Sequence, residues 1–159
     1  MDYAPNKYVM REELMEIKVI KWDEISTIKA LWEGLNAHQH LVSTNFKTFY
    51  ESFTFEKRIE TLKKRDQLII YVAYERDEPI GYCIASIDDM VGEIDSIYIQ
   101  EQYRQKGIAS ELIQHALKWL DSQECETIQV SIAQGNESAF NFYKKFNFVE
   151  RITLMQRTA

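Results

Sequence analysis

The stretch YRQKGIASEL, residues 103–112, joins a basic loop to the start of a helix-like pattern. Arg104 and Lys106 bring positive charge, and Gly107 has no Cβ to keep a ligand away from the backbone. The first N–H groups of a helix have no partner within it and together carry about half a positive charge. The stretch therefore predicts an anion site at a helix N-terminus, with a phosphate group as the anion.

Two common phosphate-binding motifs do not occur in this chain. No G-x-x-x-x-G-K-[ST] is present, and the single glycine of the basic loop does not make a G-x-G-x-x-G fingerprint. The sequence thus argues against a P-loop nucleoside triphosphatase and against a Rossmann dinucleotide-binding domain.

Strand-like segments with period-2 alternation lie on both sides of the loop. We expect an antiparallel hairpin at the turn RDEP, residues 76–79. In the next strand, we expect Glu93, Asp95, Ile97 and Ile99 on one face and Ile94, Ser96 and Tyr98 on the other. The predicted strands are MEIKVIKW (15–22), QLIIYVAYE (67–75), IGYCIASID (80–88), GEIDSIYIQ (92–100), TIQVSI (127–132) and FVERITLMQR (148–157).

Four segments have the periodicity of core-facing helices. The first starts at Asp23, and the second runs over about 44–64. The third starts at Ala109, and the fourth spans about 137–146, with Asn136 as its N-cap. The chain thus predicts an α/β fold, a mixed sheet covered by helices, in the order β-α-α-β-β-β-α-β-α-β. We expect residues 1–13 to be a flexible N-terminal extension and residues 14–159 to form a single domain, because no linker divides them.

Composition excludes several functional classes. The 159 residues include 25 Asp and Glu against 19 Lys and Arg, a net charge of −6 that disfavours nucleic acid as a partner. No run approaches the length of a membrane helix and no signal-peptide pattern is present, so the sequence predicts no membrane association and a cytoplasmic location. Cys83 and Cys125 make neither a zinc motif nor a disulfide framework, and the spacing of His38 and His40 suits loop or pocket residues rather than metal ligands.

Two segments together resemble a known family. RQKGIA (104–109) is similar to the [QR]-x-x-G-x-[GA] pyrophosphate loop of the GNAT superfamily of acyl-CoA-dependent N-acyltransferases. NESAFNFYKKFNF (136–148) resembles the family's N-x-x-A-x-x-x-Y-x-x-x-G-F segment, with Asn147 in place of the glycine. EIDSIYI (93–99) looks like the family's fourth strand, and the resemblance covers about residues 68–157.

The resemblance implies that acetyl-CoA is the co-substrate and that it lies in a cleft where the fourth and fifth strands splay apart. The backbone of one strand end would pair with the pantetheine arm, and loop N–H groups would hold the pyrophosphate. The cofactor-binding residues implied are Ile97, Tyr98, Ile99, Arg104, Gln105, Lys106, Gly107, Ile108, Ala109, Ser110, Asn136 and Tyr143.

Acyl transfer from a thioester to an amine needs a neutral amine, a stabilised oxyanion and a proton for the departing thiolate. By resemblance, Tyr143 is the general acid and Glu93 or Asp95 is the base that acts through water, with a backbone N–H near Ile99 as oxyanion donor. The alternatives are that Tyr143 is a packed helix aromatic, and that both carboxylates bind a cationic substrate electrostatically.

The acceptor pocket is expected among the first two helices. Glu33 and Glu51 lie there and, with the acidic net charge, favour a small cationic primary amine, although a peptide amine stays possible as acceptor. The other function considered is a non-catalytic acyl-CoA-binding sensor or interaction module. The sequence fixes neither the acceptor nor the oligomeric state, and a homodimer stays open. We expect most of the aromatic residues in this region to belong to the core and about one in three to face the pocket. They are Trp32, Phe46, Phe49, Tyr50, Phe53 and Phe55.

Overall fold

The computed structural model describes residues 15–158, which form a five-stranded mixed sheet with helices on both faces. The strands run in the spatial order β1-β2-β3-β4-β5; the first four pair antiparallel, and β5 is parallel to β4. Their bounds are β1 Met15–Ile20, β2 Gln67–Glu75, β3 Glu78–Asp88, β4 Val91–Ile99 and β5 Thr127–Val130.

Five α-helices lie within the described part of the chain, and short 3-10 segments precede two of them, at Trp22–Ile28 and Glu101–Tyr103. None of these helices is long and apolar enough to cross a membrane. The helix bounds are α1 Lys29–Val42, α2 Lys47–Ser52, α3 Phe55–Leu62, α4 Ile108–Ser122 and α5 Ser138–Lys144.

The sheet is covered on both faces because its central strand is apolar on both. Residues 80–87 of β3 are all buried. On one face, Leu112 and Leu120 of α4 pack against Ala85 and Ile94. The other face forms a second core with α1 and α3. The two helices contribute Leu31, Trp32, Phe55 and Leu62 to this core. The mixed α/β prediction is thereby confirmed.

The helix predicted over 44–64 is divided in two. Phe53 and Thr54 have extended backbone between α2 and α3, and the Thr54 hydroxyl accepts a hydrogen bond of 3.2 Å from Lys57 N. A threonine that caps a new helix favours a break, which the apolar periodicity of the segment concealed.

The last predicted strand, FVERITLMQR (148–157), is wrong. Residues 149–158 have no regular secondary structure and are exposed, with Ile152 77% and Leu154 89% accessible. Alternation alone does not make a strand, since a strand also needs a neighbour with free backbone groups. The predicted flexible extension over residues 1–13 lies outside the described residues.

The strand β4 contains a β-bulge at Asp95. Ile84 pairs with Ser96 while Ala85 pairs with Ile94, so Asp95 is an extra residue without a partner in β3. An extra residue reverses the alternation of faces beyond it. The face assignment from strict period 2 is therefore wrong, because Ile97 and Ile99 pack with Ile94 on the α4 side.

Tyr98 packs with the α1 core on the other face, and Glu93 and Asp95 meet Arg65 at the end of α3 on that side. The bulge thus places the two carboxylates on the α1 and α3 face, apart from Ile97 and Ile99.

Candidate active site

A cleft opens where β4 and β5 diverge. The two strands pair from Val91↔Thr127 to Ile94↔Val130, after which β5 ends and β4 continues to Ile99. The second half of β4 therefore has β3 on one side, and no strand of residues 15–158 on the other. This is the splayed geometry that the family resemblance implied.

The backbone of this part of β4 faces two ways. Gln100 N–H donates to Ile80 O in β3 at 2.9 Å, and in an antiparallel ladder alternate residues point to the same neighbour. Tyr98 lies two residues before Gln100, so its backbone groups also point to β3 and belong to that ladder. Ile97 and Ile99 direct their backbone groups into the cleft, where an extended amide-bearing ligand can pair with them.

The basic loop ends in a left-handed glycine at the start of α4. Gly107 is the N-cap with φ 79°, and a Cβ built there would have no heavy atom within 4 Å. Gln105 is also left-handed, at φ 61°, a conformation that costs free energy in a residue with a side chain. The loop is thus shaped so that open space lies directly above the glycine.

The N–H groups of the loop are free to bind an anion. Arg104 N donates to Glu101 O and Glu111 N to Gly107 O, at 3.2 and 3.1 Å. Between them, the N–H groups of residues 105–110 donate to no backbone carbonyl in the described chain. Unpaired N–H groups, a helix N-terminus and nearby cations suit a phosphate group, and binding at these residues stays a prediction.

Two aromatic rings orient the basic side chains. The Arg104 guanidinium lies 5.3 Å from the centre of the Tyr98 ring, and its Nε donates to Ile99 O at 2.9 Å. Lys106 Nζ lies 5.4 Å from the centre of the Tyr103 ring. Arg104 therefore ties the basic loop to the free end of β4.

Asn136 is placed in a loop that leads into α5. Glu137, without a side-chain cap bond, occupies the N-cap of α5, so the predicted capping role of Asn136 is wrong. Gly135 approaches α1 so closely that a Cβ would clash with Val42 O, and Gln134 Oε1 accepts from Thr44 N at 3.2 Å. The loop is thus fixed against the α1 end, and the Asn136 amide is not used to cap the helix.

Tyr143 is buried in the α4-side core. It is 6% exposed, its ring contacts Phe142 and Phe148, and burial, with a smaller effect of Cys83, raises the pKa of its hydroxyl well above the usual range. The phenol is therefore protonated at neutral pH, and the raised pKa makes it a weaker acid than an exposed tyrosine.

The two candidate bases share Arg65, and Asp95 also contacts Arg58. Arg65 Nη2 lies 3.3 Å from Glu93 Oε2 and 3.5 Å from Asp95 Oδ1, and Arg58 Nη2 donates to Asp95 O at 3.1 Å. The Asp95 side chain is 1% exposed, against 18% for Glu93. Sequence reasoning missed both arginines, since nothing in the periodicity of α3 indicates what lies across from it.

Burial raises the pKa of Asp95 to about 6, and the neighbouring Glu93 adds to the rise. Ser86, Arg58 and Arg65 act against it, although the Ser86 hydroxyl and the Asp95 oxygens complete no hydrogen bond of standard geometry within residues 15–158. Asp95 is thus a buried carboxylate that is ionised at neutral pH at a cost in stability.

A separate cavity of about 420 Å³ lies among α1, α2 and α3. His38 and His40 lie on α1 rather than in a loop, and His40 lines the cavity, in agreement with the alternative of a pocket residue. His40 Nε2 is 3.0 Å from Glu51 Oε1. No cluster of three or more potential metal ligands occurs in the described residues. The cavity is lined by Trp32, Glu33, Asn36, Ala37, His40, Tyr50, Glu51, Phe53, Thr54, Phe55 and Glu56.

The aromatic side chains near this cavity differ in exposure. Trp32 and Phe55 are 4% exposed and belong to the core, whereas Phe49 is 53% exposed and stacks on Phe53. The expectation that most of the six aromatic residues belong to the core is wrong, because Trp32 and Phe55 alone among them are buried and four of the six line the cavity.

The buried Asp95 predicts a pH-dependent stability. Its folded pKa lies above the usual value near 4, so the folded state holds the proton more tightly, and wild-type stability falls as pH rises from about 4 to about 6. Asp95→Asn removes this loss. Its free energy of unfolding relative to wild type should rise by roughly 2–3 kcal/mol between pH 4 and 7, measured by urea denaturation.

Asp121→Asn, an exposed change on α4, is the control for this comparison. A relative stability of Asp95→Asn that stays flat over the same pH range would contradict the assignment.

Comparison with known proteins gives the family. The sequence profile of the Acetyltransferase (GNAT) family matches residues 35–148, well over half of the chain. An N-alpha-acetyltransferase of Sulfolobus acidocaldarius is 29% identical over 123 residues, which cover 69% of this chain and 73% of that protein.

Solved structures share the fold. An aminoglycoside acetyltransferase from an uncultured soil metagenomic sample, in complex with sisomicin, has a TM-score of 0.68 at 13% identity and covers 93% of this chain and 98% of its own. Aminoglycoside N-acetyltransferase AAC(6')-Iy in complex with CoA has a TM-score of 0.62 at 18% identity, with coverage of 91% and 95%.

The free loop N–H groups, the open glycine and the diverging strands fit the phosphates and the amide-bearing arm of a CoA thioester. Together with the family match, they lead us to conclude that this chain belongs to the GNAT family of N-acetyltransferases and uses acetyl-CoA as its acetyl donor.

Proposed function

We propose that the enzyme transfers the acetyl group of acetyl-CoA directly to the primary amine of a small cationic acceptor. The observation that carries the acceptor class is the cavity among α1, α2 and α3, which combines aromatic rings with three carboxylates and no Lys or Arg. Aromatic faces and carboxylates both attract an ammonium group.

The donor site follows from the cleft. Acetyl-CoA brings an activated acetyl group as a thioester. The backbone of Ile97 and Ile99 pairs with its amide-bearing arm, and the N–H groups of residues 105–110 bind its pyrophosphate, with Arg104 and Lys106 at the rim. Asn136, whose side chain does not cap α5, contacts the arm from the opposite side of the cleft.

The proton transfers use side chains that lie on the two sides of the sheet. Asp95, with a pKa of about 6, and Glu93 are the bases that take a proton from the acceptor ammonium. Because the Asp95 side chain is 1% exposed, that proton reaches it through water or by way of Glu93. Tyr143 keeps its proton at neutral pH and gives it to the departing sulfur.

The structure changes which carboxylates can attract a cationic acceptor. Glu93 and Asp95 face Arg58 and Arg65, so their charges are largely compensated and attract an amine weakly. The preference therefore rests on the cavity, where Glu56 pairs with Lys29 at 3.1 Å. The remaining carboxylates of the lining are Glu33 and Glu51, and Glu51 contacts His40 Nε2 at 3.0 Å. A peptide amino terminus is the alternative acceptor, since one relative is named an N-alpha-acetyltransferase.

The acceptor class is tested by a transfer assay over polyamines, aminoglycosides, anionic amino acids and peptide amino termini, with free CoA as the readout. We expect turnover with the cationic amines. Glu51→Gln should raise the acceptor KM by about 2- to 5-fold, the size of an exposed ionic contact, and leave the acetyl-CoA KM unchanged.

Glu60→Gln is the matched control, because Glu60 lies on α3 outside the cavity and pairs with Lys63 at 3.0 Å. Activity confined to anionic acceptors, or an equal effect of both variants, would rule out the acidic cavity as the acceptor site.

The pyrophosphate site is tested with Gly107→Val. The new side chain would enter the space above the loop that is empty around Gly107, and it also disfavours φ 79°, so acetyl-CoA affinity should fall by at least about 10-fold in calorimetric titration. A folded variant with wild-type affinity would show that the phosphates bind elsewhere.

The general acid is tested with Tyr143→Phe, which keeps the ring packed against Phe142 and Phe148 and removes the hydroxyl. We expect kcat to fall by roughly 10²- to 10⁴-fold with acetyl-CoA affinity little changed. Full turnover by this variant, where chemistry is shown to limit the rate, would mean that another group protonates the sulfur.

A further inference from the structure

The bulge in β4 leaves polar groups of Asp95 without strand partners. Its carbonyl has no place in the β3 ladder and instead accepts a hydrogen bond of 3.1 Å from Arg58 Nη2. Its two carboxylate oxygens are buried without a hydrogen-bond partner among the described residues, and their nearest cations are Arg65 at 3.5 Å and Arg58 at 3.9 Å. Such groups are costly to bury, so these arginines stabilise the bulge.

The bulge lies at the point where the donor cleft begins. The last pair between β4 and β5 is Ile94↔Val130, and the next residue is Asp95. A bulge bends its strand and increases the local twist. Its geometry therefore sets both the divergence of β4 from β5 and the direction of Ile97 and Ile99.

The helix α3, which carries Arg58, is anchored in the core at both ends. Phe55 and Leu62 at its two ends are 4% and 2% exposed in the α1-side core, and Thr54 caps its first turn. The Arg58 side chain is itself 18% exposed, so its guanidinium is held between the helix and the strand.

We propose that Arg58 is a positioning residue for the acetyl-CoA cleft, which holds the β4 bulge through the Asp95 carbonyl although it lies on the sheet face opposite α4. This inference rests on the proposed function in one respect, that acetyl-CoA binds between β4 and β5. The other charged groups that face the bulge are Glu93 on β4, Asp88 on β3 and Arg65 after α3.

The test uses Arg58→Met, which keeps much of the apolar stem and removes every donor. Lys63→Met is the matched control, with the same loss of charge just after α3, where Lys63 pairs with exposed Glu60. Two quantities are measured on protein shown to be folded by circular dichroism: the acetyl-CoA Kd by calorimetry, and amide hydrogen exchange of residues 94–99.

We expect Arg58→Met to weaken acetyl-CoA binding by about 10-fold or more, the scale of a lost charge-assisted hydrogen bond, and to speed exchange at residues 94–99. Lys63→Met should change neither quantity. Arg58→Lys, which keeps one donor and the charge, should recover part of both, and it carries the test if Arg58→Met does not fold.

A folded Arg58→Met that binds acetyl-CoA with wild-type Kd, and in which exchange at residues 94–99 speeds up no more than in the other strands, would overturn the proposal. A merely structural arginine would lower the global stability and speed exchange in all strands alike. If wild-type protein fails to bind acetyl-CoA, the proposed function fails, and exchange at residues 94–99 still decides whether Arg58 holds the bulge.

Discussion

A single extra residue in β4 determines how the rest of the site is built. Because Asp95 is unmatched in β3, the faces of the strand reverse there, and the pairing with β5 stops at Ile94. Two isoleucine backbones are thereby turned toward open space, while two carboxylates stay on the α3 side. One local irregularity thus separates the donor cleft from the acidic side chains.

The charges at the bulge are compensated only in part by their neighbours. Two arginines and two carboxylates meet around Asp95, whose pKa is raised to about 6 since burial outweighs the attraction of the arginines. A carboxylate in this state is ionised at neutral pH and still accepts a proton readily, which suits a base. The same compensation removes these carboxylates from the long-range attraction of a cationic acceptor, which instead depends on Glu33 and Glu51.

Much of this could be predicted from local patterns. The basic loop, α4 and the three consecutive strands are set by short-range periodicity and by the backbone freedom of Gly107, which the sequence displays directly. Local patterns could not predict the bulge, the contacts of Arg58 or the break at Thr54. Each of these depends on a partner distant in the chain or on competition between two local preferences. The alternation after Phe148 wrongly predicts a strand for the same reason, since it does not indicate whether a neighbouring strand is available for pairing with this exposed segment.

The proposed function depends on acetyl-CoA binding through backbone N–H groups of the free half of β4 and of the loop before α4. Backbone amide resonances of the labelled protein, followed by NMR during titration with acetyl-CoA and by exchange in the bound state, test this binding most directly. We expect the amides of Ile97, Ile99 and residues 105–110 to shift and become protected, while Tyr98 is already protected in the free protein by β3. Unchanged Ile97 and Ile99 amides at saturation, with the largest shifts elsewhere, would contradict it.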